Sequence, residues 1–322
     1  MAGNEKTTVF DASELKKQNI LNMVRSALPI IGLLAVFFIF NILTKGSMWS
    51  SRKLILNQVY VVLISATGVF FIMTMGGLDF SQGSIMGIAS IVVCKLSGVN
   101  MALAVIGGIV AGAAIGAFNG FFYVNRKIKS FIVTICTMFL FRGFIKYMAS
   151  NSPVAANMAV YDYDTTGVKL GITVAVLVIG FVVFRYTKFG IYLKAIGAGE
   201  KAAKFAGIRT ERMKFLIYVL AGAITGLAAF INIVKNGSAT ANVGSQLETQ
   251  ILIALVLGGM PISGGAKVRF ENIIVGSLLY IVLNNGLTMM GLTTQAMQLI
   301  QGVVFLIFVA VFADRQSLSV IK

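Results

Sequence analysis

The stretch RYTKFGIYLKAIGAGEKAAKFAGIRTERMK (residues 185–214) holds more charge than any other part of the chain, and long apolar runs lie on both sides of it. Eight of its residues are basic and two are acidic. A segment with this much charge cannot lie in hydrocarbon, and an excess of Lys and Arg between two apolar spans is typical of a cytoplasmic loop. The stretch therefore predicts a membrane protein whose spans are arranged around one large cytoplasmic loop.

The centre of this loop, residues 197–207, predicts a short helix with glycines before and after it. Glu200 and Lys204 are four residues apart, so they share a face of the helix and can pair. Small residues and one aromatic side chain give the helix a compact apolar surface that can dock in a groove of another protein. The alternative is a solvated loop that only follows the charge rule. The candidate docking residues are Gly197, Gly199, Glu200, Ala202, Ala203, Phe205 and Gly207.

The composition places the chain in the membrane class. Of its 322 residues, 57% are hydrophobic and 12% are charged, whereas a soluble domain has about 25% charged residues. A membrane span needs about 20 apolar residues, so the apolar runs predict an all-α integral membrane protein with about ten transmembrane helices. Residues 1–27 predict a cytoplasmic N-terminal segment, residues 28–313 a transmembrane domain, and residues 314–322 a cytoplasmic tail.

The basic residues orient this domain. Of the 27 Lys and Arg residues, 19 fall in the segments predicted to be cytoplasmic, and such an asymmetry sets the orientation of a membrane protein. An even number of spans then places both termini in the cytoplasm. The net charge of +16 is not spread over a soluble face, so the sequence argues against a nucleic-acid partner and for membrane lipid as the surrounding phase.

The sequence predicts no metal and no cofactor. It contains no histidine, and its two cysteines, Cys94 and Cys136, lie in apolar runs, which predicts buried small hydrophobic residues. Residues 197–202 match the letters of a dinucleotide fingerprint, but that fingerprint requires a strand–turn–helix unit. Here the letters lie in a loop between two spans.

Two glycine-rich segments interrupt the apolar runs, GGLDFSQGS (residues 76–84) and GGMPISGG (residues 258–265). Breaks of this kind are tolerated at membrane depth where the backbone is buried in protein or lines a cavity, and they often mark a transport route. The alternative is that they only join helical hairpins. The candidate pathway residues are Gly76, Gly77, Asp79, Ser81, Gly83, Ser84, Gly258, Gly259, Ser263, Asn284 and Asn285.

Among the charged residues within apolar sequence, Asp79 has two interpretations. A charge at the centre of a membrane helix costs about 2.5–3.5 kcal/mol on insertion scales, so such residues are usually functional. Asp79 can instead cap the helix that starts near residues 81–83 by accepting backbone N–H bonds. We expect Arg142 to snorkel or to pair with a carboxylate, and Asn284 and Asn285 to bond between helices or to line a cavity.

Six segments resemble, in the same order, the motifs of the permease subunit of ribose-type sugar ABC importers. They are GGLDFSQGS (76–84), SFIVTICTMFLFRG (130–143), SNSPV (150–154), AIGAGEKAAKFAGI (195–208), LVLGGMPISGG (255–265) and LNNGLTMMG (283–291). The resemblance extends over most of the chain.

This resemblance implies a type II ABC importer-like permease fold that works as a homodimer in the bacterial cytoplasmic membrane. A separate ABC ATPase subunit would engage residues 195–213, and an extracytoplasmic substrate-binding protein would deliver a monosaccharide such as ribose. Two departures leave a nucleoside or another small solute open. Gln82 replaces an apolar residue, and the carboxylate common before the eighth span corresponds to Gln250 by direct count, while Glu248 lies two residues earlier.

Two other classes of protein remain as alternatives. An ion-driven secondary transporter would need buried carboxylates or histidines along its route. A membrane-embedded enzyme would need a nucleophile–base pair or a metal constellation. The neutral polar groups of the candidate pathway suit a hydroxyl-rich solute and would bind it weakly, since conduction requires release.

Overall fold

The computed structural model describes residues 12–312, with side chains described for residues 27–310. Residues 1–11 and 313–322, which include the whole predicted C-terminal tail, lie outside the described part of the chain. The helices are α1 (Ala12–Leu43), α2 (Ser47–Ser50), α3 (Arg52–Thr74), α4 (Gln82–Ser97), α5 (Met101–Asn125), α6 (Ser130–Met148), α7 (Thr166–Tyr186), α8 (Lys188–Ala198), α9 (Glu200–Phe205), α10 (Thr210–Asn236), α11 (Leu247–Leu257), α12 (Glu271–Met289) and α13 (Thr294–Phe312).

Six of these helices are long and apolar enough to cross a membrane, namely α3, α5, α6, α7, α10 and α12. Four shorter apolar helices correspond to Ala27–Leu43 within α1, to α4, to α11 and to Thr294–Ala310 within α13. Each predicted apolar run is therefore a helix, and the helical class is confirmed. The count of about ten crossings stays a prediction, because six of the described helices meet the requirements of length and hydropathy and, of the other four, α4 and α11 have only 16 and 11 residues.

Helices α5 and α10 pack with their backbones in direct contact. A Cβ on Gly112 would lie 2.1 Å from the carbonyl oxygen of Gly222, and a Cβ on Gly222 would lie 2.2 Å from the carbonyl oxygen of Gly112. One turn further along, a Cβ on Gly226 would lie 2.2 Å from the carbonyl oxygen of Gly108. Small residues at four-residue spacing let two membrane helices bring their backbones into contact. Even an alanine at these positions would force the helices apart.

The helices divide into central and peripheral ones. The apolar windows of α3, α10 and α12 are 78%, 67% and 61% buried, whereas those of α5, α6 and α7 are 28%, 22% and 22% buried. The peripheral helices expose large apolar side chains such as Phe139 and Ile179, as helices facing lipid do. Cys94 is buried but Cys136 is exposed on α6, so the prediction of two buried cysteines is wrong for Cys136.

A two-stranded antiparallel ribbon joins the two loops that the sequence predicts to be external. Strand β1 (Val154–Ala155) pairs with β2 (Ser238–Ala239), with Val154 opposite Ala239. A 3₁₀ helix at Met158–Tyr163 follows β1. The ribbon therefore ties the entry to α7 to the exit from α10 on one side of the bundle.

The charged loop contains two helices where the sequence predicts one. Residues 188–198 already form α8, which buries Leu193 and Ile196, and the short helix α9 follows it. The chain breaks at Gly199, whose backbone is extended. Gly197 therefore lies inside α8, and the predicted boundary at Gly197 is wrong because the apolar face of residues 188–198 packs on the bundle.

The predicted pairing of Glu200 with Lys204 is also wrong. Glu200 accepts from the ammonium of Lys214 at 2.5 Å, and Lys204 pairs with Glu211 at 3.5 Å. Lys214 and Glu211 belong to α10, which comes close enough to α9 to compete with the pairing along one helix. The two bonds fix α9 against α10, although the exposed Lys204–Glu211 pair contributes at most about 1 kcal/mol.

The orientation of the bundle predicts which exposed positions are reachable from outside the cell. In a variant without Cys94 and Cys136, we expect Ser152→Cys to react with an impermeant thiol reagent in intact cells, because Ser152 lies in an external loop. We expect Ala206→Cys to be protected, because it lies in the charged loop. Both side chains are exposed in the fold, so a difference in labelling reports the side of the membrane. Labelling of Ala206→Cys before permeabilisation would contradict the orientation.

Candidate functional site

Residues 77–81 of the first glycine-rich segment form a mostly buried, non-helical stretch between α3 and α4 (the buried strand), which pairs with no other strand among the described residues. The Gly77 N–H closes the end of α3 on the Ile72 carbonyl, and the Ser81 carbonyl accepts the first bond of α4 from the Ile85 N–H, so that residues 78–80 lie between the two helical ladders. Exposure alternates along residues 77–81: Gly77, Asp79 and Ser81 are buried, while Leu78 and Phe80 are partly exposed. This alternation follows from the period of two in an extended chain. One face of the strand therefore points into the bundle and the other points away from it.

Hydroxyl groups of α6 satisfy the backbone of this strand. The Leu78 N–H donates to Ser130 Oγ at 3.3 Å, and the Phe80 N–H donates to Thr134 Oγ1 at 3.2 Å. Two residues of extended chain advance about 6.6 Å, and four residues of helix advance about 6 Å. The strand and α6 therefore stay in register, which explains how non-helical backbone can lie buried among membrane helices.

Asp79 stabilises the end of the strand without being the cap of α4. Its Oδ1 accepts from the Ser81 N–H at 2.8 Å and from the Ser81 hydroxyl at 2.6 Å, and its Oδ2 accepts from Gln82 Nε2 at 2.7 Å. The residue at the N-cap of α4 is Ser81. The expectation that Asp79 accepts a backbone N–H is confirmed, but the helix-cap geometry is wrong because the bonded N–H precedes the helix.

A chain of buried side chains continues from Asp79 to three other helices. Asn119 Nδ2 on α5 donates to Ser81 Oγ at 2.8 Å, and the Thr137 hydroxyl on α6 donates to Asn119 Oδ1 at 2.7 Å. On the other side, the Thr225 hydroxyl on α10 donates to Gln82 Oε1. Gln82, a departure from the family pattern, is thus matched by Thr225. Sequence reasoning missed these partners, whose only signal is a single polar residue within an apolar run.

The remaining candidates of the first segment have local roles. The Ser84 hydroxyl donates to the Ser81 carbonyl at 2.7 Å in the first turn of α4. A Cβ on Gly83 would lie 2.0 Å from a carboxylate oxygen of Glu248 and 2.6 Å from Arg142 Nη2. Gly83 thus lets an ion pair approach the start of α4.

That ion pair joins α6 to the start of α11. Arg142 Nη2 lies 3.2 Å from Glu248 Oε2 and donates to the Gly244 carbonyl at 2.7 Å. Pairing of Arg142 with a carboxylate is therefore confirmed, and the carboxylate is Glu248. Breaking a buried pair by removing one partner typically costs 3–5 kcal/mol. Gln250, which corresponds to the family's carboxylate by direct count, faces a cavity instead.

The second glycine-rich segment packs directly on the first. The Gly265 N–H donates to the Thr74 carbonyl at 3.0 Å. A Cβ on Gly264 would lie 2.2 Å from the Met73 carbonyl oxygen and 2.7 Å from the Gly76 nitrogen. The two glycine-rich segments, which lie far apart in the sequence, therefore meet in one junction where backbone packs against backbone. Gly258 and Gly259 end α11 at its edge, and Ser263 is exposed beside it.

The charged loop reaches the same junction. A Cβ on Gly197 would lie 2.1 Å from the Thr74 carbonyl oxygen and 2.7 Å from the Gly265 nitrogen. Farther along, α9 buries Ala203 and leaves the side chain of Phe205 92% exposed. The other candidate docking residues, Gly199, Glu200, Ala202 and Gly207, are partly or fully exposed. One part of the loop therefore touches both glycine turns, and the other presents an aromatic side chain to solvent.

The asparagine pair on α12 bonds between helices, as expected. Asn285 and Gln58 of α3 exchange two side-chain hydrogen bonds, at 3.0 and 3.2 Å. Asn284 Oδ1 accepts from Gln301 Nε2 of α13 at 2.9 Å. These bonds hold α3, α12 and α13 together. A role of Asn284 and Asn285 in a solute pathway stays a prediction.

A cavity of about 610 Å³ lies on the outward face of the buried strand. Its lining comes from the turns and from α11, α12 and α13: Met73, Leu78, Phe80, Gln246, Thr249, Gln250, Leu252, Ile253, Val256, Ile262, Tyr280, Gln298, Gln301, Gly302 and Phe305. None of the candidate pathway residues is in this lining. Their sequence neighbours Leu78, Phe80 and Ile262 are, because alternation along the turns sends these side chains outward.

A bundle of membrane-crossing helices with a broken helix, an internal cavity and a charged loop against the break defines a membrane permease. Residues 52–309 match the family model described as the branched-chain amino acid transport system / permease component. The chain belongs to this family, and it is a multi-pass permease of the bacterial cytoplasmic membrane. No solved structure matches it.

Named relatives are import permeases for sugars. The chain is 33% identical over 316 residues to the ribose import permease protein RbsC of Bacillus subtilis (strain 168), covering 95% of this chain and 97% of the relative. It is 31% identical over 274 residues to RbsC of Escherichia coli (strain K12), covering 81% and 85%. It is 29% identical over 326 residues to the fructose import permease protein FrcC of Rhizobium meliloti, covering 94% and 90%.

The bonds of Asp79 predict a graded response to substitution. Asp79→Leu removes the acceptor of three buried donors and should lower the free energy of unfolding by about 3 kcal/mol or more, since each stranded donor costs about 1–3 kcal/mol. Asp79→Asn keeps the acceptor for Ser81, but its amide NH2 group then faces the amide NH2 group of Gln82, so that two donors oppose each other. Adding Gln82→Glu restores a donor and an acceptor there and should recover most of the loss. Thermal unfolding of the purified proteins in detergent measures the series; a double variant as unstable as Asp79→Leu would contradict it.

Proposed function

We propose that this chain is the membrane-spanning permease subunit of an ATP-binding-cassette importer, and that its solute is a monosaccharide. The relatives named for ribose and fructose import are similar over nearly the whole chain, which supports both parts of the proposal. Hydrolysis of ATP belongs to a separate subunit in this proposal, and the permease itself is not an enzyme.

The contact of Gly197 with Thr74 and Gly265 is the observation that carries the mechanism. These backbones approach so closely that a methyl group at Gly197 has no space. A shift of α8 therefore has to move both glycine turns. Leu78, which follows the first turn, and Ile262, which precedes Gly264 and Gly265 in the second, line the cavity. Force applied to the charged loop can thus reach the cavity wall through packed backbone.

The ATPase subunit docks on α9 in this proposal. Phe205 is an aromatic side chain that is almost fully exposed, and such anchors dominate the energy of many interfaces when a partner buries them. The ion pair of Glu200 with Lys214 holds α9 on α10, so that a displacement of α9 is transmitted and not absorbed by a loose loop.

The cavity is the solute pathway of the permease. The buried strand forms part of the cavity wall, because one of its faces carries Leu78 and Phe80. Its position is held by the residues on its other face and at its ends, namely Gly76, Gly77, Asp79, Ser81 and Ser84. The exposed side chains of Thr249 and Gln298 show that the cavity opens towards its surroundings. A second copy of the permease covers this opening in the assembled homodimer, and the external loops joined by the β1–β2 ribbon receive the substrate-binding protein.

An ion-driven transporter fits the fold less well. Asp79 is held by Ser81 and Gln82, and Arg142 is paired with Glu248. The cavity lining, all of it within the described residues, includes no acidic or basic side chain. The carboxylates that could bind a coupling ion, Asp79 and Glu248, are therefore already engaged in bonds within the protein.

Uptake into vesicles tests the proposal. Permease reconstituted with its ATPase and binding protein should import one of labelled ribose, fructose, xylose or galactofuranose when ATP is supplied on the ATPase side. Phe205→Asp should abolish both ATPase binding and uptake, whereas Met158→Asp, an equally drastic change at an exposed residue of the external side, should leave ATPase binding intact. Uptake driven by an ion gradient without ATP, or import of a nucleoside alone, would overturn the proposal or its solute class.

The junction predicts different effects for two helical glycines, one at the junction and one away from it. Gly197→Ala should reduce uptake about tenfold or more, since overpacking typically costs 1–3 kcal/mol, while ATPase binding through Phe205 persists. Gly171→Ala is the matched control inside another helix, α7, because a Cβ there would meet no heavy atom within 4 Å and Gly171 belongs to neither the junction nor the docking residues. Uptake and ATPase pull-down are measured on the same preparations. Equal uptake by the two variants would contradict transmission through the junction.

A further inference from the structure

The polar side chains of the cavity form a cluster of amides that the candidate pathway did not include. Gln246, Thr249 and Gln250 lie at the start of α11, and Gln298 and Gln301 lie on the first half of α13. The remaining lining is apolar or aromatic apart from the Tyr280 hydroxyl. Polar groups are thus concentrated where α11 and α13 begin, and the turns contribute only apolar side chains.

Several of these polar side chains make no hydrogen bond to the rest of the described protein. Gln301 donates to Asn284, so its amide nitrogen is engaged. The side chains of Thr249, Gln250 and Gln298 make no hydrogen bond to other described residues, although all three face the cavity. An amide carries two donors and an acceptor with two lone pairs. The cavity therefore presents free donors and acceptors that the protein itself does not use.

The chemistry of the lining selects a class of solute. Glu248, which precedes Thr249 in the chain, is turned towards Arg142, and the lining itself contains no acidic or basic side chain that could hold an ion. Phe80, Tyr280 and Phe305 add flat apolar surface. Sites that combine apolar walls with a few convergent polar groups orient small ligands. A monosaccharide has hydroxyl edges for the amides and C–H faces for the aromatic rings.

We propose that Gln250 and Gln298, with Thr249, are the solute-contacting residues of the pathway and determine which sugar passes. This inference rests on the proposed function, and it assigns selectivity within the permease to residues outside the glycine-rich motifs. The contacts are few and neutral, so they orient a sugar without retaining it.

Uptake by variants of the reconstituted complex gives the first test. Gln250→Leu and Gln298→Leu should each lower ATP-driven uptake about threefold to tenfold, the effect expected for one lost neutral hydrogen bond, with ATPase binding unchanged. Gln295→Leu is the matched control on α13, since Gln295 is exposed and does not line the cavity. Uptake equal to that of the control in both variants would overturn the inference.

Thiol protection gives a second test that does not depend on turnover. In the protein without Cys94 and Cys136, the imported sugar should slow labelling of Gln298→Cys by an impermeant maleimide and leave labelling of Gln295→Cys unchanged; sodium chloride at equal osmolarity should protect neither. Wild-type uptake is measured in the same vesicles. Import without protection at position 298 would refute the role of the amide cluster in contacting the sugar and leave the proposed function intact. Failure of the wild type to import any sugar would refute the proposed function.

Discussion

Buried backbone that is not helical must find hydrogen-bond partners within the protein, and this constraint explains most of the centre of the molecule. In hydrocarbon there is no water to satisfy an N–H or a carbonyl group. The strand at residues 77–81 therefore needs hydroxyls at a matching spacing, which Ser130 and Thr134 supply on α6. Asp79 completes the strand by accepting from Ser81 at its end. The polar residues Ser130, Thr134 and Asp79 are thus explained by the one non-helical stretch between α3 and α4.

The same break brings three distant segments together. A helix in place of residues 77–81 would leave no turn at Gly76 for the second glycine turn to contact. The absence of side chains at Gly197 and Gly264 then allows backbone to pack on backbone, and such contacts leave the segments little room to slide past one another. Packed interfaces tend to switch between discrete arrangements. This supports a transmission from the charged loop to the cavity wall that needs no long flexible linkage.

Much of the fold follows from the sequence, but the site follows only in part. Apolar runs and glycine breaks predict the ten apolar helices because burial in a bilayer leaves few other solutions, but they do not predict α8 in the charged loop. Contacts between elements are less predictable. The Glu200–Lys204 pairing fails since Lys214 comes from another helix, and the Arg142–Glu248 pair joins residues 106 positions apart. The sequence motifs point to polar residues such as Asp79 as pathway residues. Alternation along the strand instead places Leu78 and Phe80, and not Asp79, at the cavity.

The distribution of charge accounts for the weak binding expected of such a pathway. The chain carries a net charge of +16, yet the charges beside the cavity cancel in the Arg142–Glu248 pair. A neutral lining can distinguish solutes only by how well hydroxyls match its amides, and each neutral hydrogen bond contributes about 0.5–1.5 kcal/mol. A few such bonds can favour one sugar over another by a modest factor, but they cannot extract it from dilute solution. Capture at low concentration therefore has to occur on a separate protein, and the cavity can then release the sugar quickly.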